Sequence, residues 1–483
     1  MTRRIIGPFN RVEGDLEITL DIDGGVVREA RVNASLYRGF EQILLGRPAL
    51  DAISITPRIC GICSVSQSVA TVAALADAFA IKPAPNGQLG INLIHGAENL
   101  ADHLTHFYLF FMPDFARPVY SNKPWFAEVE RRFAAKTGLG AQAWLVARAR
   151  LLHVTGILAG KWPHTLAVQP GGLTHAPDDG ELMHLRSILA DVRDFLQNTV
   201  FGTTLERIVE LDRRPALDDA IEASLAAAGD FGLFGAVARD LSLENLGLGY
   251  DRFMSFGAYH GEGGALFAPG IMDGGAPLAL DPNVFSEDPS HAWLMGDVAH
   301  PLDGETLPYA DRVDAYTWCK APRVEGRPVE VGAVARQLIA DQPLIRDLIG
   351  KGPANVFARV IARLLESARI VLAMEDWAAR LQAHASVCVE TGGADQTSGI
   401  GVGLVEAARG SLGHWLRVEN GLIQHYQIIA PTTWNFSPRD KHGQPGPLEF
   451  ALQNTPVDDD EPTPASVQHV VRSFDPCMVC TVH

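Results

Sequence analysis

The chain has 483 residues, 47% of them hydrophobic, with six cysteines and a formal net charge of -17 at pH 7. That is ample apolar material for a large core and too few cysteines for a disulfide framework. With no lysine or arginine stripe, the acidic balance also excludes nucleic acid as a partner. Met1-Thr2-Arg3-Arg4 leads into Ile5-Ile6-Gly7-Pro8 and then polar residues, with no apolar run of signal-peptide type. The chain is therefore expected to be cytoplasmic unless a partner carries it elsewhere.

Along the chain, Leu16, Ile18, Leu20 and Ile22 alternate with other residues, and Asp23-Gly24-Gly25 turns into Val26, Arg28, Ala30 and Val32. This pattern predicts a β-hairpin within a β-rich part spanning residues 1–50. Helical periodicity then takes over at Val65–Ala80, Gln88–Met112, Gln142–Gly160, Leu182–Thr199 and Pro353–Ala383. The stretch Gln88–Met112 is apolar but contains Glu98, Asp102, His103 and His106. Those groups would be costly in hydrocarbon, so a buried helix is predicted and direct membrane insertion is not. Residues 256–330 read as irregular loops with short strands. The fold class is α+β, predominantly helical, with residues 51–483 as a helical core.

Two Cys-x-x-Cys pairs stand at opposite ends: Cys60-Gly61-Ile62-Cys63 and Cys477-Met478-Val479-Cys480. If they share one centre, the C-terminal tail must be buried against the N-terminal third, and residues 1–483 form one interlocked unit. Four soft thiolates suit zinc, copper(I), iron-sulfur clusters, nickel or iron. On spacing alone a zinc site closed by four cysteines, in a structural or scaffolding protein, stays open.

The flanking residues narrow this. Arg58-Ile59-Cys60-Gly61-Ile62-Cys63 and Asp475-Pro476-Cys477-Met478-Val479-Cys480-Thr481-Val482-His483 resemble the paired motifs of nickel-iron hydrogenase large subunits. Arg11-Val12-Glu13-Gly14, Tyr37 to Glu41, Asp102-His103, Gly160 to His164, Glu406 to Gly410 and Pro431 to Asn435 follow in that family's order. The resemblance covers the whole chain. It implies the large-subunit fold and a nickel-iron centre whose iron carries carbon monoxide and cyanide. Cys60 and Cys477 would be terminal nickel ligands, while Cys63 and Cys480 would bridge both metals.

Further roles follow from the same resemblance. Heterolysis of H2 releases a proton and needs a base; Cys477 would accept it first and Glu13 would carry it away. Arg409 would sit over the open metal position, oriented by Asp102 and Asp475, and would hydrogen-bond cyanide. Thr432 would donate to a diatomic ligand. Glu41, the carbonyl of Ile428 and His483 would hold a separate magnesium-like ion that pins the tail.

Several positions depart from the catalytic pattern. Gln67 replaces the last histidine of the first motif and cannot titrate near neutral pH. Ile62 and Phe110 are bulkier than the usual valine and leucine, and would narrow a gas passage to the metals. Ala408 stands where a proline is usual. The chain ends at His483, without the tail that most catalytic members carry when made. Gln67, Ile62, Phe110 and the missing tail resemble the hydrogen-sensing branch, so a slow H2 sensor reporting to a histidine kinase is expected; an energy-converting uptake hydrogenase is the alternative. Once four cysteines bind the metals, Cys319 and Cys388 are too few for an iron-sulfur cluster. An iron-sulfur small subunit is therefore implied, forming a heterodimer or a pair of heterodimers.

Overall fold

A computed structural model of the chain describes residues 2–390, 397–458, 461 and 463–483. The predicted hairpin is present as β2 (Leu16–Asp23) and β3 (Val26–Ala34), and β1 (Thr2–Ile6) adds an antiparallel third strand against β2. Leu16, Ile18, Leu20 and Ile22 face the core as their alternation requires. The edge of β3 is tied to the distant end of the chain: Val27 N–H donates to Thr455 O, and Asn454 N–H donates to Val27 O.

Two long helices frame the centre. Helix α1 (Ser64–Ala78) begins immediately after Cys63, and α2 (Pro85–Thr105) runs on into a wider π-helical turn, His106–Phe111. The segment predicted at Gln142–Gly160 is two helices, Leu139–Leu151 and His153–Ala159. That predicted at Leu182–Thr199 is α3 (Asp179–Phe195), opened by a capping box between Asp178 and Glu181 and followed by a second π-helical turn, Leu196–Phe201. After the short α4 (Ala333–Ile339), α5 (Val356–Arg380) crosses the interior, its first turn capped by the Asn355 side chain.

Helix is the main element among the described residues, at 45% against 19% strand, but residues 51–483 are not helical throughout. A three-stranded antiparallel sheet, β4 (Gly399–Ala407), β5 (Gly410–Glu419) and β6 (Leu422–Ile429), lies within them. Its β4 face carries Gly399, Gly401 and Gly403. A Cβ on these would come within 2.3, 1.9 and 2.1 Å of the carbonyl oxygens of Ala78, Ala74 and Ala70. Two residues of strand advance about 6.6 Å and four of helix about 6 Å, so the glycines meet the alanines in step. Helix α1 therefore packs directly on the strand backbone, which sets Cys63 at one end of this contact near Arg409 beyond the end of β4. Residues 256–330 hold short stranded pieces, such as Phe285–Asp288 paired with Ala321–Val324.

One hydrophobic cluster contains side chains from Ile6 to Val482. Among the described residues no single helix is long and apolar enough to cross a membrane; the pair Arg214–Ala226 and Asp230–Asp240 passes only jointly, bent by 118°.

Candidate metal centre

The four cysteines converge. Cys60 Sγ lies 3.5 Å from Cys477 Sγ, Cys63 Sγ 3.0 Å from Cys480 Sγ, and Cys477 Sγ 3.1 Å from Cys480 Sγ. All four are free thiols and buried, and among the described residues they form the one group of three or more His, Cys, Asp or Glu side chains gathered closely enough to hold an ion. Local structure presents each pair: Cys60 ends the helical turn Thr56–Ile59, Cys63 precedes α1, and Cys477 opens the turn Met478–Cys480.

The tail is anchored on both sides. Met478 N–H donates to Glu13 O at 2.7 Å, Gly39 N–H to His483 O at 2.8 Å, and Cys477 N–H to Thr432 Oγ1 at 3.1 Å. Arg38 donates to Ile59 O at 2.7 Å and to Val479 O, bridging the two thiol-bearing loops. Sequence reasoning passed over Arg38, which sits inside the Tyr37–Glu41 block but contacts carbonyls that no local pattern reveals.

Crowding shows in the acidities. Hydrogen bonds from the other three thiols hold Cys60 well below its ordinary value. Cys63 is pushed well up, chiefly by the same neighbours, and burial pushes Cys477 and Cys480 up. Four buried sulfurs this close cannot all be thiolates without cationic charge among them, whereas a divalent soft metal would displace their protons. The donor set therefore fits a nickel-iron pair held by Cys60, Cys63, Cys477 and Cys480.

Arg409 occupies the two-residue turn between β4 and β5, where Ala407 pairs with Gly410. Its Nη2 donates to Asp102 Oδ1 at 3.0 Å and to Asp475 Oδ1 at 3.2 Å. Nε donates to Asp475 O at 2.9 Å, and Nη1 donates to Asp102 Oδ2. Burial opposes its charge, but Asp102 and Asp475 hold the guanidinium well above its ordinary value. Asp475, beside the second thiol pair, takes a left-handed backbone (φ 56°).

Glu13 is half-buried and its backbone forms a bridge with Cys477. Burial pushes its carboxyl up, the Cys60 sulfur adds to this, and Arg409 opposes it. A proton held there is thus bound more firmly than on an exposed glutamate.

Gln67 is fully buried and its Oε1 lies 2.9 Å from His414 Nε2; His414 Nδ1 is 2.8 Å from the Tyr426 hydroxyl. The amide oxygen can only accept, which assigns the proton to Nε2 and makes Tyr426 the donor to Nδ1. Burial holds His414 well below its ordinary value, so the pair is neutral. Ile62 is half-buried against the core. Phe110 is half-buried in the π-helical turn, while Phe111 takes the inward position beside His106, Phe115 and Phe234.

Glu41 and His483 are brought together, Oε1 to Nδ1 at 3.4 Å, and both are buried. Among the described residues Glu41 Oε2 and His483 Nε2 have no hydrogen-bond partner. They line a cavity of about 20 Å³ with Ile428, Gln427, Glu287 and Lys320. That volume suits one small ion or water, and orphaned buried polar atoms of this kind call for such an occupant. Glu287 and Lys320, 3.3 Å apart, were not singled out in the sequence because they lie in or near its irregular middle.

Comparison with known proteins agrees with this geometry. The family model described as nickel-dependent hydrogenase matches residues 38–124 and 230–483. The chain is 30% identical to the periplasmic [NiFeSe] hydrogenase large subunit of Desulfomicrobium baculatum, covering 99% of this chain and 94% of the relative. It is 28% identical to the quinone-reactive Ni/Fe-hydrogenase large chain of Wolinella succinogenes (100% and 96%) and 26% identical to the uptake hydrogenase large subunit of Afipia carboxidovorans (100% and 95%). A solved structure of the Desulfomicrobium baculatum [NiFeSe]-hydrogenase superposes with a TM-score of 0.84 at 29% identity, over the full length of both chains. With four convergent thiols between two anchored chain ends, this chain belongs to the nickel-dependent hydrogenase family, as a large subunit and an H2 oxidoreductase.

Proposed function

We propose that the chain splits H2 heterolytically and oxidises it, passing the electrons to an iron-sulfur small subunit. The observation that carries this reading is the juxtaposition of four buried thiols, an arginine clamped by two carboxylates, and Glu13 at the edge of the same pocket. When bound, a nickel-iron centre bearing carbon monoxide and cyanide supplies the Lewis acidity that polarises H2. The chain does the rest. Cys477 accepts the proton at Sγ, and Glu13, adjoining it through the backbone bridge, takes it onward at its carboxylate. Arg409, with one Nη1 N–H beyond the contacts to its two aspartates, presents charge to whatever occupies the pocket, and Thr432 fixes Cys477 from below.

A magnesium-like ion between Glu41 and His483 locks the C-terminal tail and so keeps Cys477 and Cys480 in register. Cys319 is buried alone, and Cys388 is the other remaining thiol, so the electrons leave through a partner. The designations "large subunit" and "large chain" of the relatives support such a partner.

The relatives' names, which include uptake and quinone-reactive hydrogenases, favour the energy-converting role over signalling. The sensor reading, with a histidine kinase beyond the small subunit, has its own observation: neutral Gln67 hydrogen-bonded to neutral His414, where proton traffic would need a titratable group. Infrared spectroscopy of the purified complex with and without H2 tests the shared chemistry. Carbonyl and cyanide stretches that move with the gas support it, and their absence refutes it.

A further inference from the structure

The turn that carries Arg409 is held from behind by a second arginine. Arg336, on α4, is 1% exposed. Its Nε donates to Glu366 Oε1 and Oε2, each at 3.1 Å. Nη1 donates to Glu406 Oε2 at 2.6 Å and to Ala407 O at 2.9 Å, and Nη2 donates to Glu366 Oε1 and to Ala408 O, both at 2.8 Å. All five guanidinium N–H groups are therefore engaged, and two of them grip the carbonyls immediately before Arg409. Glu406, the last carboxylate of the same strand, is gripped as well and further accepts from Ser411 Oγ at 2.6 Å across the turn.

Glu366, on α5, links this clamp to the other side of the pocket. Its Oε1 lies 3.0 Å from His103 Nε2, and His103 follows Asp102, the residue that grips Arg409 through two oxygens. The turn bearing Arg409 and the helix bearing its counter-ion are thus fastened to one buried group. A turn with alanine at position 408 has no ring to fix its φ angle, so its orientation depends on what binds its carbonyls. Lysine could keep the charge of Arg336 but has three donors on a flexible stem and cannot hold two carbonyls and two carboxylates together.

We propose that Arg336 is a positioning residue that aims Arg409 at the metal pocket, acting through the carbonyls of Ala407 and Ala408 and through Glu366. The assignment rests on the nickel-iron reading above. It differs from a general stabilising role in what it predicts for the turn itself.

The test is Arg336→Lys in the complex of large and small subunits. It would be read by hydrogen exchange of the peptide spanning residues 405–413, by the cyanide stretches, and by kcat and KM for H2. The expected result is exchange at the turn faster by about tenfold or more, cyanide bands displaced in the sense produced by Arg409→Lys, and kcat lowered by about ten- to a hundredfold with KM little changed. Exchange and bands identical to the parent overturn the proposal. If Arg336→Lys prevents assembly, Glu366→Gln is read in the same way; unchanged exchange and bands there overturn it too. A parent complex with no cyanide bands removes the nickel-iron reading itself, an outcome distinct from an unaffected variant and one that takes the proposal with it.

Discussion

Met478 N–H donates to the backbone carbonyl of Glu13 at 2.7 Å, so Glu13 and the second thiol pair are fixed to one another by main chain rather than by side chains. Substituting the Glu13 side chain leaves this tether intact, which separates its chemistry from its place in the fold.

Glu13→Gln is accordingly expected to retain nickel and to fold as the parent does, while H2 oxidation falls by about 10²- to 10⁴-fold, the usual worth of a positioned acid-base group. Metal content and turnover measured on one preparation check this. Turnover within a few-fold of the parent would remove Glu13 from the proton route.

Asp102 and Arg409 form a fully buried pair. Asp102→Asn leaves the guanidinium short of a counter-ion, which costs about 3–5 kcal/mol when one partner of a buried pair is lost. Denaturant unfolding of the variant should show a loss of that order, and a loss below about 1 kcal/mol would mean that Asp475 alone neutralises Arg409.

An ion between Glu41 and His483 should stabilise the tail by mass action, about 2.7 kcal/mol at a hundredfold excess over its dissociation constant. A chelator should lower the Tm of the parent and leave that of Glu41→Gln nearly unchanged. Equal chelator effects on both proteins would place the ion elsewhere.

Burial pushes His95 and His106 down to about 3. Their ordinary value is 6.5, so between about pH 6.5 and 3 the unfolded chain binds more protons than the folded one, and stability is lost as pH falls. Glu98 and Glu449, pushed up to about 7 by burial, have the opposite sign: the folded state holds their protons, and stability is lost as pH rises from 4.5 through about 7. In denaturation measured across pH, His106→Gln should flatten the acid limb and Glu98→Gln the upper one. Limbs of unchanged slope would contradict the assignments.

For the gas passage, Ile62→Val combined with Phe110→Leu should make the complex more sensitive to oxygen if bulk at these positions excludes the larger gas. Both residues are half-buried, but Phe111 rather than Phe110 takes the inward position of its turn, so Ile62→Val alone should carry most of the change. Oxygen inactivation rates equal to those of the parent would dismiss gating by size.

The thiol pairs, Glu13, Arg409 and its two aspartates were legible in the sequence because each lies in a short motif whose members stay adjacent in the fold. Strands β4 to β6 were not. Gly399, Gly401 and Gly403 weaken a strand pattern, and the reason they are there is a helix backbone seated on the strand, a tertiary fact. The π-helical turns at His106 and Leu196 continue a helical periodicity without marking the change. Arg336 was missed because charged residues are ordinarily exposed, and only the folded chain shows the partners that make its burial tolerable.

Metal analysis of the purified complex tests the central claim most directly. Nickel and iron in the large subunit, lost together when Cys63 or Cys480 is replaced by serine, are what four thiols closing on a nickel-iron pair predict. Zinc without nickel in the intact protein would contradict it and leave a closed four-cysteine site in its place.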